Sequence, residues 1–425
     1  MLGYRSTKDN EWCSLGMMAR EVAHRRLKLF GIGAGALLLL ASVVVVIGYL
    51  SAPHFYLTRT IFWGESDYKD LEKFPARTIH NEPPTFRFNE MPADNPYASR
   101  IEEIGNRSTN ASLVGYLDSS GTTAFLVLHD DELLYERYFD GYDETSLQTS
   151  FSMAKSFASA LVGIAIDEGH IKSVDEPITN YIPELLERDE RFKKITIRDL
   201  LTMSSGIKYE EGGDLPWSEE ADDTKTYYAT DLRKLALNCE IEGEPGENFE
   251  YNNYNPLLVG LILERSTGMP VARYLQQKLW KPMGMEADGS WSLDSTTSGF
   301  EKMESGLNGR ARDFARFGML FAQEGKWEGR QLISRRWIEE STRADASTDP
   351  SSEYQYFWWI NTPDGGGTSH FSARGKYGQY IYVAPEKDLV IVRLGKREGE
   401  KGYDYWISLF EELATGLEPS VNESR

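Results

Sequence analysis

Cysteine is nearly absent: Cys13 and Cys239 are the only two in 425 residues. At most one disulfide can form, which excludes a small disulfide-held scaffold and leaves stability to an apolar core that a chain of this length can build. Histidine is scarce as well. The six, at positions 24, 54, 80, 129, 170 and 370, form no H-E-x-x-H pattern or close pair, and the acidic clusters lack the spacing of a calcium loop, so no metal site is expected. There is no G-x-x-x-x-G-K-S/T phosphate loop either. The run Asp364-Gly365-Gly366-Gly367 lacks the lysine and hydroxyl of such a loop and reads as a turn, so no cofactor is expected. Basic charge is in deficit, with 46 Lys and Arg against 66 Asp and Glu and a net charge of -20. Such a surface repels a nucleic-acid backbone, and no nucleic-acid partner is expected.

One long apolar run stands out. Residues 31–50, GIGAGALLLLASVVVVIGYL, are twenty residues without a charge, enough at about 1.5 Å per residue to cross a hydrocarbon core of roughly 30 Å as a helix. The run predicts one N-terminal transmembrane helix at 29–50. Arg25, Arg26 and Lys28 precede it, whereas Arg59 is followed by acidic Glu65 and Asp67, a bias that keeps the N-terminus cytoplasmic and puts the remainder outside. A cleaved signal peptide is the competing reading, opposed by the length of the run and by the poor cleavage site Ser51-Ala52-Pro53. The expected organisation is a cytoplasmic tail (1–28), the membrane helix, an extracytoplasmic stalk with six prolines that partly packs on its cargo (51–111), a large folded domain (112–418) and a short tail (419–425). A bacterial inner membrane with the domain in the periplasm fits this single-pass topology.

Regular structure is expected from about residue 112. Residues 122–129 and 132–139 are β-rich runs separated by Asp130-Asp131, a hairpin signal. Residues 152–168 carry apolar side chains at helical spacing and stop at Gly169. Further helices are predicted at 197–203, 257–267, 310–323 and 403–414, and strands at 379–383 and 389–394 across the turn Pro385-Glu386-Lys387-Asp388. Strands at both ends of a mostly helical middle predict an α+β fold: one antiparallel sheet with flanking helices and a mostly helical second lobe.

The first chemical signal is Ser152-Met153-Ala154-Lys155. Three residues apart at a helix start, the two polar side chains share a face, where a desolvated amine can take the proton of the hydroxyl. About a hundred residues later comes Tyr251-Asn252-Asn253. Ser152 is then the candidate nucleophile, Tyr251 a proton acceptor or relay beside a cation, and Asn253 a group that orients Lys155 and the substrate carbonyl. Read without company, each has a plainer role: a helix cap for Ser152, a solvated side chain for Lys155, an aromatic cap for Tyr251.

Taken in order, these segments resemble the serine β-lactamase and penicillin-binding family, most closely its class C β-lactamase-like branch, which includes D-alanyl-D-alanine peptidases, esterases and 6-aminohexanoate-dimer hydrolases. S-x-x-K resembles residues 152–155, Y-x-N resembles residues 251–253, and residues 197–206 are similar to the segment ahead of the branch's variable binding region. The resemblance covers roughly 115–415 and implies a β-lactamase/transpeptidase-like fold. The third motif, Lys-Thr-Gly, is missing. Counting back from Gly378-Gln379-Tyr380 puts His370-Phe371-Ser372 in its place, and a shifted match uses Ala373-Arg374-Gly375. His370 is the preferred occupant and Arg374 the alternative; replacement of the lysine disfavours penicillin. The resemblance further implies an oxyanion hole from the backbone N–H groups of Ser152 and Ala373, Ser305-Gly306-Leu307 near the cleft, and a loop over it from the acidic stretch 209–223, which reads equally well as solvated surface. Trp358-Trp359 either lines an acyl pocket or packs in the core, and Asp313 with Arg310 or Arg316 reads as an ion pair holding the lobe. The expected protein is a membrane-anchored serine hydrolase that cleaves a small ester, amide or short peptide. Its alternatives are a D,D-peptidase, a β-lactamase, or a catalytically inactive envelope-binding protein.

Overall fold

The computed structural model describes residues 25–26, 28, 30–44, 46, 56–212, 221–343, 350–361 and 370–417. The expected membrane helix requires correction. Its longest unbroken described part is helical over 30–44, fifteen residues, which rise about 22 Å and fall short of a hydrocarbon core of roughly 30 Å. Among the described residues no helix is long and apolar enough to cross a membrane. The membrane partner, the cytoplasmic N-terminus and the periplasmic placement inferred from the expected helix are withdrawn. The tail expected at 419–425 and most of that at 1–28 lie outside the described residues.

In chain order the elements used below are α1 (Tyr56–Trp63), β1 (Ala76–Ile79), β2 (Asn89–Glu90), α2 (Pro96–Thr109), α3 (Leu113–Ser119), β3 (Thr122–His129), β4 (Glu132–Tyr138), β5 (Gln148–Thr149), α4 (Met153–Asp167), α5 (Ile197–Leu201), α6 (Asp222–Tyr228) and α7 (Tyr254–Thr267). They continue with β6 (Gly289–Ser292), β7 (Leu307–Gly309), α8 (Ala311–Ala322), β8 (Tyr354–Gln355), β9 (Trp358–Asn361), β10 (His370–Gly375), β11 (Gln379–Ala384), β12 (Leu389–Gly395) and α9 (Gly402–Gly416). Eight strands form the main sheet in the order β8-β9-β10-β11-β12-β3-β4-β2. Every pairing in it is antiparallel except β2 with β4, which is parallel. The two ends of the chain thus close one sheet, with β12 beside β3. A second sheet of four short strands runs β1-β6-β7-β5.

Local sequence explains the elements that frame the site. Asn95 caps α2 by accepting from Ala98 N at 2.8 Å. Thr196 and Asp199 form a reciprocal capping box on α5. Pro256 is accommodated in the first turn of α7, where its missing N–H would be unpaired in any case, and Gly268 ends that helix in the left-handed region at φ 72°. Asp130 and Asp388, at φ 51° and 44°, turn the β3–β4 and β11–β12 hairpins.

Both faces of the main sheet are covered. One apolar cluster joins it to α4, α7 and α8, with Phe157 of α4 stacked on Phe317 of α8 at 3.6 Å. The other joins its opposite face to α2, α3 and α9 through Ile101, Ile104, Leu117, Trp406 and Phe410. Helix α4 is apolar on every side because it lies inside, covered by the sheet and by α7. Residues before the domain expected at 112 contribute β1 to the small sheet and β2 to the large one.

Candidate active site

Ser152 stands at the N-terminal end of α4, with φ −64° and ψ −8°. The residue before it, Phe151, is held at φ 45°, a left-handed conformation that costs an aromatic residue about 1–3 kcal/mol. Packing offsets that strain: Phe151 is buried and meets the Tyr377 ring edge-on at 5.3 Å. Ser150 N also donates to Leu307 O at 2.8 Å, fixing the turn to the small sheet. Met203, Tyr356, Phe357 and Tyr377 likewise have positive φ. Phe357 is tied to α4 through Ser156 Oγ, which donates to its carbonyl at 2.7 Å.

One turn into α4, Lys155 is 1 % exposed. Its Nζ donates to Ser152 Oγ at 2.9 Å and to the backbone carbonyl of Glu304 at 2.9 Å. The same nitrogen lies 4.9 Å from the centre of the Tyr251 ring, so the tyrosine offers its π-face to the cation. That ring stacks on Trp359 at 5.8 Å. Ser152, Lys155 and Tyr251 are therefore brought together. Asn253 behaves otherwise. Its Nδ2 donates to Tyr209 OH at 2.9 Å, and its buried Oδ1 has no hydrogen-bond partner among the described residues. Glu211, from the part of the acidic loop that is described, is close enough to feel the same amine: burial raises its carboxyl, the neighbouring Asp223 raises it further, and the charge of Lys155 opposes both.

Strand register bears on the third motif. Ile360 N donates to Glu353 O, which turns the Ile360 amide toward β8. By antiparallel alternation Trp359 and Asn361 then turn theirs toward their β10 partners, Ser372 and His370. Phe371, Ala373 and Gly375 consequently face β11, and the amides of Arg374 and Lys376 face the edge left open where β9 ends. The expected role of Ala373 in the oxyanion hole is corrected on this ground, because its amide is directed into the sheet opposite Ile381. Gly375 brings this edge to the nucleophile: a Cβ there would lie 2.4 Å from Ser150 O and 3.1 Å from Phe151 Cβ.

His370, preferred from the ungapped count, points to the other cluster. Its Nδ1 is hydrogen-bonded to the hydroxyl of Tyr382, which packs on Phe410 of α9, and burial holds the imidazole below its usual range. Arg374 instead lies over Trp359 at 5.0 Å, with Nη2 donating to Asn361 Oδ1 at 3.1 Å and Nε to Ser372 Oγ at 3.0 Å. It borders the site through the ring that stacks on Tyr251. The tryptophan pair divides by strand parity. Trp358 is core, stacked on Phe317 at 5.9 Å, and Trp359 is the wall of the site. Asp313 and Arg316 pair at 3.3 Å inside the protein, and Arg316 also reaches Glu286 at 2.7 Å. Sequence reasoning missed Glu304, Lys302 and the strained Phe151. The only signal for the first two was their position beside Ser305-Gly306-Leu307.

Residues 115–409 match the beta-lactamase family, and the chain belongs to it. It is 28 % identical to the 6-aminohexanoate-dimer hydrolase of Paenarthrobacter ureafaciens over 341 residues, 76 % of this chain and 82 % of that one. A shorter match, 29 % over 147 residues, covers 33 % of this chain and 28 % of protein flp from Staphylococcus aureus strain N315. Among solved structures, one from Bacillus anthracis assigned as a 6-aminohexanoate-dimer hydrolase superposes with a TM-score of 0.68 at 26 % identity, covering 86 % of this chain and 94 % of that one. A family VIII carboxylesterase superposes with a TM-score of 0.58 at 16 % identity, covering 76 % and 98 %, and shares the fold. The similarity to hydrolases over most of the chain makes this protein a hydrolase of the beta-lactamase family. The expected membrane anchoring has no part in that assignment.

Proposed function

We propose that the protein hydrolyses an ester or amide through an acyl intermediate on Ser152. The observation that carries the reading is the 2.9 Å hydrogen bond between Lys155 Nζ and Ser152 Oγ inside a buried site. With Lys155 neutral, its amine accepts the proton as Ser152 Oγ attacks the carbonyl carbon. The oxyanion is received by the N–H groups of Ser152 and Lys376, the latter on the open edge of β10 that Gly375 seats against the nucleophile. The proton then passes by way of Lys155 and Tyr251 to the departing alcohol or amine. Water attacks the acyl ester, and its proton restores Ser152.

Short linear amides and esters are the favoured substrates, in keeping with the 6-aminohexanoate-dimer hydrolase that matches along most of both chains. A second reading, a penicillin or D-alanyl peptide, gains from Arg374, a cation beside Trp359 that could hold a substrate carboxylate. Both are tested by kcat/KM of the purified full chain on an aryl ester, a linear amide of two amino-acid units, a D-alanyl-D-alanine peptide and a penicillin. The expected order places the ester and linear amide ahead of penicillin. A penicillin cleaved faster than both would favour the second reading.

A further inference from the structure

Lys155 is held from behind by a main-chain carbonyl, and that carbonyl belongs to a residue whose side chain is itself paired out of water. Lys302 Nζ lies 2.6 Å from Glu304 Oε1, with both side chains 2 % exposed. Ser305 Oγ donates to the same carboxylate oxygen at 2.9 Å. Lys302 Nζ also donates to Tyr227 O and sits 4.0 Å from the Tyr227 ring centre and 4.5 Å from that of Phe74. Tyr227 is anchored in turn, its hydroxyl donating to Asp70 at 2.6 Å. Three separate stretches, at 70–74, on α6 and at 302–305, thus converge on the residue whose backbone oxygen receives the Lys155 amine. Nothing in the proposed reaction consumes this pair, and isosteric apolar side chains would commonly fill such a place at no loss of stability.

We propose that the buried Lys302–Glu304 pair is the positioning device for Lys155: it fixes the Glu304 carbonyl that aims the amine at Ser152. The inference rests on the acyl-Ser152 reading. The groups facing Lys155 are Ser152, the Tyr251 ring and Glu304, with Glu211 from the acidic loop close enough to feel its charge. Those facing Lys302 are Glu304, Tyr227, Asp70 and, at longer range, Arg59. Burial favours the neutral form of Lys302, and Glu304 opposes it. A carboxylate left alone beside Lys155 keeps that amine protonated to higher pH, and a lone ammonium does the reverse.

The test is the rate of acylation per active site, normalised by burst amplitude, measured from pH 5 to pH 10 with an aryl ester in the parent, Lys302→Met, Glu304→Gln and the double variant K302M/E304Q. Lys302→Met should move the acid limb upward and Glu304→Gln should move it downward, each by about half a pH unit or more. The double variant buries no charge and keeps side-chain volume. Its limb should return to within about 0.2 units of the parent, while acylation per site falls about tenfold or more because the carbonyl is no longer fixed. A role confined to stability would lower thermal midpoints and burst amplitude and leave the per-site rate and limb alone. That result in the double variant overturns the proposal, even where the single variants fail to fold. A parent with no burst overturns the acyl-enzyme reading itself, so the two failures are distinct.

Discussion

Lys155 can serve Ser152 because three contacts fix its amine: the hydroxyl, the Glu304 carbonyl and the face of Tyr251. The first was legible in sequence, since a spacing of three on a helix brings two side chains to one face. The second was not, because it comes from a backbone atom 149 residues away, and any residue type supplies a carbonyl. Tyr251 lay between these cases: its role came from its order in a set of motifs and from no local pattern. The third motif stayed open between His370 and Arg374: four residues apart on β10 they share one strand parity, and what separates them is that His370 pairs with Asn361 whereas Arg374 lies beyond the start of β9 and over Trp359. A gap count carries no information about where the neighbouring strand stops. Arg374→Ala should therefore raise KM for a carboxylate-bearing amide about tenfold, the loss of one charge-assisted contact, whereas His370→Ala should change it less than about threefold. Steady-state kinetics on one substrate decide it. A larger effect at His370 than at Arg374 would return the ungapped alignment.

At the scale of elements, the site is the meeting of a helix end with a strand end. Helix α4 was expected at 152–168 and occupies Met153–Asp167, because its apolar run is long and Gly169 stops it at φ 76°. The hairpins β3–β4 and β11–β12 were likewise marked by their turns. The short strands β5, β6 and β7 were not, since two to four residues carry too little periodicity to register. What joins strand to helix is Gly375, where added bulk meets the backbone of Ser150 and no flexible side chain can move aside. Gly375→Ala should push β10 away from α4. We expect at least tenfold lower kcat on an aryl ester, with a stability loss of about 1–3 kcal/mol from overpacking, read by urea unfolding. Parental kcat in a folded Gly375→Ala protein would mean that the strand edge is not part of the site.

Over the whole molecule, the α+β plan with a sheet closed by both ends of the chain followed from strands at 122–139 and 379–394, and the structure pairs β3 with β12 as that plan requires. The N-terminal third was less legible. Its prolines hid β1, β2 and α2, whose side chains complete both sheets and the α9 face, and its apolar run was assigned a membrane span that the described helix is too short to make. The reaction depends on none of that misreading. The reaction proposed here runs through a covalent bond to one oxygen, and the most direct measurement is the intact mass of the full chain quenched during turnover of an aryl ester, followed by peptide mapping. The account predicts a mass increase equal to the acyl group, located on Ser152 and absent from Ser152→Ala, which remains folded and has lost turnover by on the order of 10^4-fold or more. An acyl group on another residue, or parental turnover by Ser152→Ala, would contradict it.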